Sequence, residues 1–171
     1  MSTTTVSPGA DLRESAINAL APASAFIAGS WRDGGGTDHI HRDPATGDEL
    51  RSWSLPDNGE VDDAVASAVE AQSQWASLSP AARRDHLLAV ANTVDAKSNT
   101  LAALVSLEMG MPLRASQAGV GAAAEWFRHY AGYADKIEGT VIPLDRQSIF
   151  NYTLREPLGV VAVITPWNSP T

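Results

Sequence analysis

Leu158-Gly159-Val160-Val161-Ala162-Val163-Ile164-Thr165-Pro166-Trp167-Asn168-Ser169-Pro170 is the stretch on which the reading of the fold turns. Its first half is a continuous apolar run rich in β-branched residues, the pattern of a strand buried on both faces of a parallel sheet. A parallel strand needs neighbours reached by crossover connections, and the 171-residue sequence stops shortly afterwards. The rest of such a sheet is therefore expected outside this stretch of protein. Two prolines then bracket a bulky aromatic and an amide, so the strand is expected to break into a stiff loop. Open parallel sheets bind ligands beyond the carboxyl ends of their strands. Asn168 in that position has an NH₂ group to offer to an oxyanion. A plain turn anchored by Trp167 suits the same residues, and physics alone does not choose between the two.

Working upstream, residues 140–144 and 149–155 have the pattern of two strands joined by Asp145-Arg146-Gln147-Ser148. Before Gly139 the apolar period lengthens to that of helices, and four are predicted. The first spans about 60–77, with Val61, Ala64, Val65, Ala68, Val69, Gln72 and Trp75 on one face and Glu60, Asp62 and Asp63 crowding its positive end. Ser79 caps the second, with Pro80 at its first position. A third covers roughly 100–108, and a fourth starts at Met109-Gly110-Met111-Pro112 and reaches about Ile137. At the front, a strand over residues 26–31, the turn Asp33-Gly34-Gly35-Gly36, and strands over 39–42 and 49–54 around Asp43-Pro44-Ala45-Thr46-Gly47 predict a small β-meander. The Ser/Thr-rich opening reads as part of a disordered leader over residues 1–25, with no basic and apolar secretory pattern.

Apolar residues make up 44% of the chain and charged residues 19%, the balance of a globular protein. A net charge of -8 argues against nucleic acid or an anionic membrane surface as partner. No apolar run approaches the roughly 20 residues that span a bilayer, and a cytoplasmic location is expected. There is no cysteine, which removes disulfides, thiolate metal sites and thiol nucleophiles together.

Other candidate chemistry weighs less. Gly119-Val120-Gly121-Ala122-Ala123-Ala124 matches a dinucleotide-binding fingerprint in letters, but that fingerprint works only between a strand and a helix. Here it falls within a helical pattern, where close helix packing is the expected reason for the glycines. His39 and His41 alternate on one strand face without a third ligand in view, so two solvated histidines are expected and no metal. His86 and His129 sit singly on helices, and the carboxylate clusters read as caps and solvated faces.

Glu156-Pro157-Leu158-Gly159-Val160-Val161 with Ile164-Thr165-Pro166-Trp167-Asn168 resembles the EPxGVV…ITPWN stretch of the aldehyde dehydrogenase superfamily. The likeness continues upstream. Asp43-Pro44-Ala45-Thr46-Gly47 is similar to the family's Asn-Pro-Ala-Thr-Gly, and Trp75 with Leu78-Ser79-Pro80-Ala81-Ala82-Arg83 to its W…LSPAER. Glu108-Met109-Gly110-Met111-Pro112-Leu113 resembles E-x-G-K-P-L, with Met111 replacing the usual lysine, and Tyr130 through Gly139 resembles YAGWADKIEG.

The resemblance implies an α/β fold, a partial cofactor-binding domain. Its parts would be the N-terminal β-meander, four helices, an oligomerisation hairpin and the first strand of a Rossmann-like parallel sheet. It divides the chain into a leader (1–25), the N-terminal part of the NAD(P)-binding domain (26–139), an oligomerisation arm (140–157), and the first sheet strand with its loop (158–171). It implies NAD(P)-dependent oxidation of an aldehyde to a carboxylic acid through a cysteine thiohemiacetal, in a parent enzyme expected to be a homo-oligomer.

Asn168 would be the oxyanion-hole amide, and Ile164, Thr165, Pro166 and Trp167 would lie along the nicotinamide–ribose side of NAD or NADP. Ala122 and Trp126 would border the substrate tunnel. Family members usually follow PWN with phenylalanine, so Ser169 implies a wider or more polar tunnel mouth. The family's cysteine nucleophile and glutamate base lie downstream of PWN. The 171 residues are therefore expected to be an N-terminal portion, inactive alone. The alternatives are a non-catalytic fragment that pairs with full-length subunits, or an incomplete gene product.

Overall fold

A computed structural model describes residues 8–168 and Pro170. Among these residues there are five helices and three antiparallel two-stranded hairpins. Each helix begins or ends where local chemistry dictates. α2 (Asn58–Ser77) opens on a reciprocal cap in which Asp57 accepts from the amides of Gly59 and Glu60 while Glu60 accepts from the Asp57 amide. The Glu60 carboxylate also accepts from Gly35 N–H, which ties the glycine turn to the start of α2. α3 (Pro80–Ala96) has its Ser79 cap and first-position proline. α4 (Ser98–Met109) ends on Gly110 at φ 66°, a left-handed conformation that glycine adopts without strain. α5 (Leu113–Ala131) follows Pro112 directly and stops at Gly132, short of the Ile137 expected.

The front differs from a continuous meander. β1 (Ala25–Ile27) pairs only with β2 (Ser30–Arg32), and β3 (Asp38–Arg42) only with β4 (Glu49–Ser54). The glycine turn between them hydrogen-bonds to the end of β4, Gly34 N–H to Ser54 O and Gly36 N–H to Leu55 O, instead of continuing a ladder. A bulge after His41 leaves Leu50 without a cross-strand partner. Leu50 packs on the cluster of Ala16, Ala103 and Leu107.

The expected disordered leader is corrected over its second half. α1 (Pro8–Asn18) is a helix, and Ala16 on it is completely buried against α4. Arg13 Nη2 donates to Asp43 Oδ2 at 2.9 Å, and Arg51 Nη1 and Trp53 Nε1 both donate to Ala21 O. Composition suggested disorder because α1 has little apolar surface of its own; its order comes from these long-range contacts. The first seven residues lie outside those described.

α5 packs against both α3 and α4, and α1 rests on α4. Its buried stripe is Ser116, Val120, Ala124 and Ala131, small side chains that let neighbouring helices come close. By contrast α2 buries no residue, and Val61, Val65 and Val69 face solvent. Its apolar face is where the sequence places it, but nothing described covers it.

Residues 160–165 form no strand, which corrects the expected first strand of a parallel sheet. Their amide and carbonyl groups find no neighbouring strand among the described residues, and isolated extended chain has no ladder to join. The arm is shorter than expected for the same reason. β5 (Val141–Ile142) pairs with β6 (Asn151–Tyr152), extended by Thr153 N–H to Thr140 O and by Thr140 N–H to Thr153 Oγ1, because a lone two-stranded ribbon is marginal. Gly139 enters this ribbon so close to Thr153 O that a side chain there would collide with it.

Asp43 is 5% exposed and central to the front. Its Oδ1 accepts from Ala45 N–H at 2.9 Å, and this bond, followed by that from Arg13, holds its carboxyl below the usual carboxylate range. Such a group stabilises the fold above that range and loses its contribution as pH falls through its lowered value. Asp43→Ala is expected to destabilise the chain by about 2 kcal/mol, and Asp43→Asn, which keeps an acceptor for Ala45, by about half as much. Urea unfolding at neutral pH measures both, and the gap between the parent chain and Asp43→Asn should shrink below about pH 4.

Candidate functional site

Helix geometry decides what α5 can present. Residues two positions apart on a helix point about 200° apart, so Ala122 and Trp126 lie opposite the buried stripe of Ser116, Val120 and Ala124. Both are exposed, Trp126 to 60%. The Trp126 ring stacks on Tyr130 at 6.0 Å, and His129 stands edge-on to both rings. Gly121 has nothing within 4 Å of where a Cβ would be, so close packing is not its reason. The Gly119 to Ala124 segment lies wholly inside α5 and has no strand-to-helix turn in which to meet a phosphate.

The Ile164 to Asn168 loop is open. Ile164 is 94% and Trp167 81% exposed, and Asn168 is exposed in a turn. Trp167 is therefore not the anchor of a plain turn in this chain. Ser169 lies outside the described residues. Two cavities occur elsewhere, and neither is lined by residues 164–168. One of about 600 Å³ lies among Trp75, Pro80, Arg83, Arg155, Glu156 and Gly159. The other, about 380 Å³, lies between α1, the Asp43 turn and the α4–α5 corner. The described residues bring Trp126 and its aromatic neighbours together but do not build a cofactor cradle around the loop.

The histidines need one correction. His39 is exposed, but His41 is half-buried against Trp53, with ring centres 5.6 Å apart and Glu108 Oε1 3.6 Å from its Nε2. Two solvated histidines were expected; the β3–β4 hairpin lies against α4 and encloses one of them, a long-range contact that strand alternation does not reveal. Among the described residues no group of three or more His, Cys, Asp or Glu side chains is placed to hold a metal. The acidic residues at the start of α2 act locally, Asp57 and Glu60 as caps and Asp63 in an ion pair with Arg32 at 2.9 Å. Arg128 links α5 to α3 through Asp95 and pairs with Glu125, and these bonds raise its already high pKa. Among the described residues no helix is long and apolar enough to cross a membrane.

With this geometry in place, comparison with known proteins gives the class. The sequence profile of the aldehyde dehydrogenase family matches residues 31–171. The chain belongs to that family. It is 37% identical over 147 residues to (Z)-2-((N-methylformamido)methylene)-5-hydroxybutyrolactone dehydrogenase of Acinetobacter baylyi, a match covering 84% of this chain and 30% of that protein. Its structure resembles HpcC from Thermus thermophilus, with a TM-score of 0.86, 35% identity, and coverage of 94% of this chain and 32% of that one. It also resembles a betaine aldehyde dehydrogenase double mutant from Staphylococcus aureus solved with NAD+, with a TM-score of 0.85, 25% identity, and coverage of 95% and 32%. The chain thus spans about three-tenths of the length of these relatives.

The open loop makes a stability statement. Val163 is 80% exposed, so Val163→Asp is expected to change the unfolding free energy of the 171-residue chain by less than about 0.5 kcal/mol. A cost of several kcal/mol in urea unfolding would place this segment in a packed strand instead.

Proposed function

We propose that this chain is the N-terminal portion of an NAD(P)-dependent aldehyde dehydrogenase that oxidises an aldehyde to a carboxylic acid. The observation that carries the proposal is the family match over residues 31–171, which takes in Ile164-Thr165-Pro166-Trp167-Asn168. Asn168 is the residue we assign to the oxyanion hole, where a preorganised amide stabilises negative charge as it develops on the aldehyde oxygen. Ile164, Thr165, Pro166 and Trp167 are assigned to the nicotinamide side of the cofactor site, and Ala122 and Trp126 to the edge of the substrate tunnel. Bound NAD(P) would supply the hydride acceptor. The exposed side chains of this loop and the lack of a cradle among the described residues do not fit a complete cofactor site.

With no cysteine in the chain, an oxyanion hole has no thiolate adduct to stabilise. Purified as 171 residues, the protein is expected to give no aldehyde-dependent NADH or NADPH. Robust turnover would overturn the proposal. In a parent enzyme with a downstream cysteine and glutamate, Asn168→Ala is expected to lower kcat by about 10² to 10³. Sequencing the gene beyond codon 171 tests whether such a frame exists. Ser169→Phe in that parent is expected to narrow the range of aldehydes accepted, as read from kcat/KM across chain lengths.

A second reading is favoured by the arm. Phe150 and Leu154 are strongly exposed beside a two-stranded ribbon with free edges, and such edges recruit partner strands. Under this reading the chain is a non-catalytic fragment that pairs with full-length subunits through residues 140–155. Co-purification with an intact family member supports it; a monomer in the presence of that member counts against it.

A further inference from the structure

Two departures of this chain from the family motifs meet in space. Asp43 stands where the motif has asparagine, and Met111 where it has lysine. Both line the cavity of about 380 Å³ between α1, the Asp43 turn and the α4–α5 corner. Met111 puts an apolar, adaptable side chain where a lysine would bring charge, and Leu12, Leu107 and Leu113 continue that apolar wall. The cation comes from α1 instead. Arg13 Nη2 donates to Asp43 Oδ2 at 2.9 Å, while Asp43 Oδ1 accepts from the Ala45 amide. A buried carboxylate engaged on both oxygens holds the guanidinium in one place. Among the described residues that guanidinium makes no other hydrogen bond, and the Arg13 side chain is half-exposed. Its Nε and Nη1 N–H groups are therefore free to donate.

We propose that this cavity binds a medium-chain aliphatic carboxylate, its headgroup on Arg13 and its chain along Met111 and the leucines. Mostly apolar walls with one placed charged group are the usual build of a small-molecule site, and the volume is in the range such sites have. The ligand is an anion because both Asp43 oxygens are engaged and the unengaged charged group is a guanidinium, whose fork matches a carboxylate. Its body is a flexible chain because no aromatic ring among the described residues lines the cavity for a flat ring to stack on. The Asp43 charge is offset by the Arg13 it holds. The positive end of α5 adds to the attraction, since Leu113, its first residue, lines the cavity and its first turn carries no acidic residue. The inference does not rest on the reaction proposed above.

The test titrates the isotopically labelled 171-residue chain with octanoate and follows its backbone amides by NMR. The amides of Arg13, Ala45, Met111 and Leu113 should shift together and saturate with a Kd of about 0.1 to 1 mM. Octanamide, which keeps the chain without the charge, and acetate, which keeps the charge without the chain, should each bind at least about tenfold more weakly. Arg13→Gln combined with Asp43→Asn removes the ion pair without stranding a buried charge, and should weaken octanoate binding about tenfold. Equal affinity for octanoate and octanamide, shifts confined to the exposed run 158–164, or undiminished binding in the double variant would overturn the site. The comparison of ligands needs no substitution, so it decides the matter even if the double variant does not fold.

Discussion

Close approach of α3 and α4 to the small-residue stripe of α5 is the contact on which the described structure depends. Ser116, Val120, Ala124 and Ala131 are small enough for two helices to lie against one. α1 enters by resting on α4, and the front hairpin enters through Leu50 and the same cluster. Little large apolar surface is fully buried, and the interior is mostly alanine. An alanine-lined interior draws its stability from many close contacts, since each methyl contributes little by transfer alone.

Features governed by neighbours in sequence were legible without the structure. Ser79 and Pro80 start α3, Gly110 ends α4, and the strands around Asp43 to Gly47 fall within a residue of where alternation placed them. Features governed by distant partners were not. The segment of α1 looks disordered by composition because its order is supplied from beyond it, by Asp43 bound to Arg13 and by Arg51 and Trp53 bound to Ala21 just after the helix. Residues 160–165 look like a buried strand because their composition suits a sheet whose other strands are not among the described residues. His41 looks solvated because strand alternation says which face a side chain takes, not what lies opposite.

The candidate site divides along the same line. The identity of Asn168 and its loop is carried by sequence likeness, and the family match rests on the same ordered residues. Its geometry is open among the described residues, where Trp167 and Ile164 are exposed. Trp126, Tyr130 and His129 are different: the helix alone arranges them, so their mutual stacking is complete without further partners. Sequence spacing of three and four already encodes that cluster.

The ion pair between Arg13 and Asp43 couples two places far apart in sequence. The family motif that this turn resembles has asparagine where this chain has Asp43, and a neutral amide needs no cation beside it. An aspartate there makes the identity of residue 13 a dependent choice. Replacing the first helix with that of an asparagine-bearing relative would leave a sequestered carboxylate beside a foreign side chain. The N-terminal segment is therefore not an interchangeable leader: Arg13 on it and the Asp43 turn are structurally coupled, and a graft that keeps the pair must carry both.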